Sequence, residues 1–455
     1  MTNHHRFWRR GVFALLWTAS TCATMGSAQT TSVKEDHSAD RAVIDDRAFA
    51  SVPFEKWLEE GDQGKFRWSA RVSPGELSSH QRLRAKIEMQ VDGNDLVNRR
   101  GHGYLAMLVQ FEDAEHRIYR THGALDLQQV NEAAAKSDII YTQYAFVRPG
   151  EYRVGLVIFD TQTGEHSALQ KRIRANPLKN DPFPAAWDDL PPVEFAGSTD
   201  APDAWYLPNV SGRLKLPLET RRPIHLEVLL NASPTATGPG AQTGRVNNRS
   251  LENLLPALKV ISQIALRKGT AQVSLLDVTR QSVLFEQTSA GELDWPQLRA
   301  ALMTADPNKI DARSLEKRER NAQFFVDQLQ QRMIPAGDSA TEPVRVGIVL
   351  SGPMAFESSQ KVHPIEVASG SGSKLFYIRY HAAMPIQTVQ PAYIDPSPRG
   401  RRNQPGLPFP KPAYQEPLDA LASLVKPLQP HLFDVYTPEQ FRKALSVLLE
   451  EVSRL

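Results

Sequence analysis

Cysteine is almost absent: among 455 residues only Cys22 carries a thiol. It falls in a stretch that reads as a removable leader, so the mature chain is expected to have none. That excludes disulfides, thiolate-bound zinc, iron–sulfur clusters and thiol catalysis together. A charge excess is missing too. Lys and Arg total 53 against 51 Asp and Glu, a formal charge of +2. Residues 1–28 contain Arg6, Arg9 and Arg10 and no acid, so their removal leaves 50 bases against 51 acids, or −1. Nucleic-acid binding draws on clustered Lys and Arg, and no nucleic-acid partner is expected. Beyond the leader no run approaches the ~18 apolar residues of a membrane-spanning helix, so the mature chain is read without a transmembrane span. His102, His116, His122, His166, His225, His363, His381 and His431 show no metal-ligand spacing and read as surface or edge histidines. Gly238-Pro239-Gly240 lacks the Gly-Lys-Ser/Thr of a phosphate loop. Ser351-Gly352 lacks the Gly-x-Ser-x-Gly frame of a nucleophile elbow.

What is present begins with that leader. Arg6, Arg9 and Arg10 precede a short apolar stretch, and Gly26-Ser27-Ala28 makes a small-x-small cleavage site before Gln29. This pattern predicts a signal peptide over residues 1–28 and an exported protein, periplasmic or extracellular. Two alternatives are an uncleaved N-terminal anchor and lipidation at Cys22. Residues 29–60 read as a disordered tether, because residues 29–53 are polar and charged.

Residues 61–176 carry the period of strands. Leu83, Ala85, Ile87, Met89 and Val91 alternate with Arg82, Arg84, Lys86, Glu88 and Gln90. Apolar runs at 104–111 and 139–147, the Pro149-Gly150 turn and the alternation Tyr152, Val154, Leu156, Ile158 extend the pattern. Short strands with turn signals between them predict an all-β sandwich of immunoglobulin-like type. Residues 177–222 read as a Pro-rich linker anchored by Trp187 and Trp205.

From residue 223 the period changes. Apolar strands at 225–230, 272–278, 282–287, 344–350, 374–380 and 431–436 alternate with helical stripes such as Leu315, Ala322, Phe325, Leu329, Met333. Asn253 reads as an N-cap with Pro256 in the first turn, and Thr437-Pro438-Glu439-Gln440 as a capping box. This predicts an α/β doubly wound, mostly parallel, Rossmann-like sheet. Its expected core comprises Val228, Leu230, Leu258, Ile261, Leu275, Phe325, Ile348, Leu350, Phe376, Phe433 and Leu445, with strand 344–350 beside strand 225–230. Residues 384–417 hold nine prolines, so no helix or central strand is expected there.

Two details sharpen this. The first apolar strand closes on Asn231-x-Ser233-x-Thr235, and the last is followed by Tyr436-Thr437-Pro438-Glu439 and an amphipathic helix. In both, residues 223–455 resemble a von Willebrand factor type A domain, a family whose first strand ends in Asp-x-Ser-x-Ser at a metal-ion-dependent adhesion site. The resemblance implies a binding module. Asn231 replaces the family's acid, and Leu350-Ser351-Gly352-Pro353 stands where the family often has Thr-Asp-Gly. A hard cation needs carboxylate oxygen, so Asn231, Ser233 and Thr235 are read as a degenerate metal site. Thr304, Asp306, Asp311 and Ser314 are the only guesses for a distal ligand. No cofactor is expected beyond weak Mg²⁺.

The resulting expectation is an exported, non-enzymatic module for protein–protein interaction or envelope assembly, with a protein partner in the envelope or outside the cell. A metal-dependent adhesion module and an envelope hydrolase are the alternatives. The hydrolase would need clustered acid and base residues at a strand end, which the sequence does not reveal. The Pro-rich insertion, with Tyr393, Arg399, Arg401, Arg402, Phe409 and Tyr414, is the expected recognition loop overhanging the degenerate site, since aromatics and arginines dominate interfaces.

Overall fold

The computed structural model describes residues 52–196, 210–233, 249–289, 292–304, 320–334, 342–354, 362–365, 372–381, 393–395 and 419–455. The chain is β-rich, with several antiparallel sheets. Its first lobe runs α1 (Phe54–Glu60), β1 (Trp68–Val72), β2 (Glu76–Leu77), β3 (Leu83–Asp92), α2 (Gly93–Asn98), β4 (Tyr104–Glu112), β5 (Ile118–Asp126), β6 (Asp138–Val147), β7 (Gly150–Asp160) and β8 (His166–Ala175).

Alternation decides which side chains turn inward. β3 buries Leu83, Ala85, Ile87, Met89 and Val91 and leaves the residues between them more exposed. One sheet is ordered β1-β3-β6 with β2 also on β3, the other β5-β4-β7-β8, and every pairing is antiparallel. Ile87 and Ala145 of the first sheet share a core with Met107, Phe111 and Leu156 of the second. The end of the expected tether is helical. Residues 54–60 form α1, which buries Phe54 and Trp57 against Ala106, Leu108, Val157 and Ala168. Those four leave the β4–β7–β8 sheet with a second apolar face, and α1 removes it from water.

The second lobe runs β9 (Val193–Phe195) and β10 (Leu216–Leu218) from the linker, then β11 (Ile224–Asn231), α3 (Arg249–Ile261), β12 (Ile264–Leu266), β13 (Gly269–Asp277), β14 (Ser282–Ser289), α4 (Trp295–Thr304), α5 (Asn321–Met333), β15 (Val344–Ser351), β16 (Lys374–Tyr380), β17 (Tyr393–Asp395), α6 (Ala420–Val425), β18 (His431–Val435) and α7 (Pro438–Ser453). Six strands pair in the order β14-β13-β11-β15-β16-β18. All these pairings are parallel except β13 with β14. β11 and β15 are neighbours, in register from Ile224↔Val344 to Leu230↔Leu350. Gly269 starts β13 at φ +136°, where a Cβ would lie 2.0 Å from the Ile224 carbonyl oxygen, so only glycine lets the chain enter this close to β11.

The sheet's two faces are sorted by residue parity. Leu226, Val228, Leu230, Ile348, Leu350, Phe376 and Ile378 face Leu254, Leu258 and Ile261 of α3 and Phe441, Leu445, Leu448 and Val452 of α7. Leu229, Val349, Leu375 and Tyr377 face Phe325, Leu329 and Met333 of α5 and Leu421 and Val425 of α6. Thr437 caps α7 in a capping box with Gln440. Two expectations need correction. α3 begins about a turn before Asn253, and Pro256 lies inside the helix. Burial of Leu251, Leu254, Leu255 and Leu258 outweighs the hydrogen bond that proline cannot donate. Phe433 is only partly buried, because β18 is an edge strand. The insertion does contribute a strand: β17 pairs antiparallel with β6 of the first lobe, Tyr393↔Thr142 to Asp395↔Ile140, beside β9 on the same strand. Its extended backbone suits an edge ladder of only three residues.

Linker and α7 lock the lobes together. Trp187 is buried and donates its indole N–H to the Gln81 carbonyl at 2.9 Å; Trp205 lies outside the described residues. Gln81 takes φ +59° and donates to the Pro438 carbonyl at 3.0 Å. Arg442 of α7, 2% exposed, grips Asp181 at 2.6 and 2.9 Å, donates to the Phe183 carbonyl at 3.0 Å and lies 4.8 Å above the Trp187 ring. Replacing Arg442 with Ala leaves the largely buried Asp181 carboxylate without its cation, with only the Phe183 N–H still bonded to it. Urea melts should show a loss of ~3–5 kcal/mol; a loss under 1 kcal/mol would show that the clamp is not needed.

His80 lies beside this junction, edge-on to Phe146 at 5.6 Å. Burial, reinforced by the charges of Lys259, Arg82 and Arg84, holds it well below its ordinary value of 6.5. Below pH 6.5 the unfolded chain therefore binds a proton that the folded chain refuses. This contribution is fully present above pH 6.5 and is lost as pH falls, by ~1.4 kcal/mol per unit, until the folded pKa is reached. Comparing melts of the protein and His80→Gln between pH 7.5 and 5.5 isolates that slope. Equal slopes in the two would contradict it.

Candidate functional site

In an open sheet of parallel strands, all carboxyl ends emerge on one edge, and a crevice opens where neighbouring strands send their connections opposite ways. Here that point lies between β11, which leads to β13, and β15, which leads to β16. Asn231 ends β11 and Ser351 ends β15, both buried. The Asn231 amide donates to the Ser351 hydroxyl at 2.9 Å and lies 2.7 Å from the Met354 sulfur. Its carbonyl accepts from the Ser233 N–H at 3.0 Å, the two-residue turn that asparagine favours.

Ser233, 1% exposed, closes the next bond of the ring. Its hydroxyl accepts from the Val278 N–H at 2.7 Å and the Thr279 N–H at 3.3 Å, and sits 3.5 Å from Asp277. Asp277, at the end of β13, takes the Thr279 hydroxyl at 2.7 Å, the Arg280 N–H at 3.1 Å and the Arg280 guanidinium at 3.5 Å. So Asn231 and Ser233 meet as the spacing required, while Thr235 lies outside the described residues. The structure adds Asp277 and Ser351. Asp277 carries a legible signal, an acid closing the apolar run Leu275-Leu276-Asp277. Thr304 ends α4 with its hydroxyl on the Ala301 carbonyl at 2.6 Å; Asp306, Asp311 and Ser314 lie outside the described residues.

A second cluster stands at the ends of β16 and β18, where no gathering of acids and bases was expected. Arg379 donates to Asp434 at 2.6 Å and to Asp419 at 3.1 Å. Asp419 also accepts from Tyr377 at 2.9 Å. His381 is 2.6 Å from Asp434 and stacks on Tyr436 at 4.1 Å, so it is a buried, paired side chain rather than a surface histidine. Burial would raise Asp434, but hydrogen bonds from His381 and Arg379 outweigh it and hold the carboxyl below its usual value. Burial and the neighbouring Asp419 carboxylate push Tyr377 well above 10. These residues are scattered through the sequence from 377 to 436, and parallel pairing of β16 with β18, with Asp419 at the cap of α6, unites them.

Among the described residues no three His, Cys, Asp or Glu side chains converge as a metal cluster. Of the recognition residues, Tyr393 is placed by its backbone on β17, paired with Thr142 of β6; Arg399, Arg401, Arg402, Phe409 and Tyr414 lie outside the described residues. No described helix is long and apolar enough to cross a membrane.

Comparison with known proteins adds little. No family model matches the chain, and no curated protein matches it. Among solved structures, a calcium-binding mutant of Bacteroides uniformis beta-glucuronidase 2 matches with 9% identity and a TM-score of 0.16, over 85% of this chain and 33% of that one. The chain thus spans about a third of that enzyme's length, and at this TM-score the likeness carries no argument.

Removing one hydroxyl tests the ring. Ser233→Ala strips the Val278 and Thr279 N–H groups of their acceptor, and a thermal or urea melt should show a cost of ~1–3 kcal/mol. No change in stability would mean that those amides find another acceptor.

Proposed function

We propose that the protein is an exported, non-enzymatic module that binds a protein partner in the envelope or outside the cell. In this reading residues 223–455 are a doubly wound domain of von Willebrand factor A type with a degenerate metal site, joined to an immunoglobulin-like sandwich. The strand order β14-β13-β11-β15-β16-β18, with β14 alone antiparallel, supports the domain. One observation carries the loss of the metal: Asn231 donates an N–H to Ser351 at the position where a cation would need an anionic oxygen. The Ser233 hydroxyl is likewise taken up by backbone amides. Recognition then passes to protein surface, and β17 of the insertion pairs with β6 of the first lobe. The His381–Asp434 pair favours a hydrolase as a second reading, but Asp434 is shared with Arg379 and the imidazole is stacked on Tyr436, which suits a structural pair.

Chelation separates the readings. Crosslinking capture from intact cells should give the same partner bands with and without EDTA, and deletion of residues 390–412 should abolish them. Loss of capture on chelation would establish the metal-dependent adhesion module in place of this one. Capture that survives the deletion would move the recognition surface off the insertion.

A further inference from the structure

The opposite end of the same sheet has polar groups that its own fold leaves unmet. A strand paired on both sides should be nearly all apolar. β11 instead places His225 and Glu227 on the face that carries Leu229, towards α5. Glu227 is 2% exposed. Its Oε1 lies 2.8 Å from His225 Nε2, while its buried Oε2 has no hydrogen-bond partner among the described residues. Burying a carboxylate oxygen without a donor is costly.

Glu227 belongs to the lining of an open-mouthed cavity of about 600 Å³ formed by β11, β13, β14, β15 and α5. The size suits a small molecule, since ligand pockets span roughly 300–1,000 Å³. Two of its charges are already matched: Glu286 holds Arg332 at 2.7 Å. Arg345 differs. It donates to the Arg332 carbonyl at 2.7 Å, yet has no carboxylate partner among the described residues. The register sets Arg345 beside His225 and Glu227 beside Gly347, so Arg345 and Glu227 stand on adjacent strands, two residues apart along one face. A buried acceptor lacking a donor thus shares a cavity with a guanidinium lacking an anion.

We propose that this cavity binds a small zwitterion of the α-amino-acid class, its ammonium on Glu227 and its carboxylate on Arg345. The site is remote from the carboxyl ends of the strands and stands whether or not the partner-binding reading holds. The ammonium supplies the N–H donors that Glu227 Oε2 lacks, and a bidentate guanidinium–carboxylate contact suits Arg345.

The test is a thermal-shift screen of the full mature chain against the twenty common L-amino acids at 10 mM, followed by calorimetry on any that stabilise it. At least one should bind, its decarboxylated amine should bind at least tenfold more weakly, and Glu227→Gln should weaken it at least tenfold. Arg345→Gln, at a less buried position, should do the same and guards against a folding failure in the first variant. No stabilisation by any of the twenty would overturn the proposal, as would equal affinity for the decarboxylated amine or unchanged affinity in both variants.

Discussion

A single buried guanidinium sets how the two lobes meet. Arg442 is 2% exposed, and a charge so far from water is tolerable only if it is paired and hydrogen-bonded. Asp181 takes two of its hydrogen bonds and the Phe183 carbonyl a third, with the Trp187 ring beneath. All three partners lie in the Pro-rich stretch after the first lobe, so that stretch is fixed against α7. Trp187 in turn bonds to Gln81 in the first lobe, and Gln81 bonds back to the start of α7. Around this loop of contacts the apolar core runs without a break from the sandwich through Leu190, Leu214 and Leu216 to the sheet of the second lobe. The segment that reads as a linker is part of the core.

The parallel sheet has two polar ends with opposite character. At the carboxyl ends, Asn231, Ser233, Asp277 and Ser351 spend their hydrogen-bonding capacity on one another and on backbone amides. Such a network rigidifies the crevice and leaves little to offer a cation. At the amino ends, Glu227 Oε2 lacks a donor and Arg345 lacks an anion among the described residues. The motif Asn231-x-Ser233 lies at the first of these ends. The physical imbalance lies at the second.

β17 links the insertion to the rest of the chain. β6 pairs with β3 along one side, and its other side would be an open edge. Two short segments cover that edge, β9 from the linker and β17 from the insertion. An uncovered edge invites pairing with other chains, so both segments protect the sandwich while tying it to the second lobe.

Much of the fold was legible because it depends on local rules. Period two marked β3 and β7, an apolar run marked β6, the helical stripe marked α5, and the Thr437–Gln440 capping box marked the start of α7. Each signal lies within a dozen residues and reflects which side chains leave water. The spacing of Asn231 and Ser233 was legible for the same reason, as a turn closes over two residues. Pairing across distance was not. Nothing local joins Arg442 to Asp181, β17 to β6, or His381 to Asp434, and Pro256 passed for a helix start because its burial could not be seen. Glu227 shows the division most clearly. The sequence alone determined that an acid stands in an apolar strand. Only the tertiary structure decided that the strand is central, that the acid turns towards a cavity, and that one of its oxygens is buried there without a donor, because burial is set by neighbours that arrive from β13, β15 and α5.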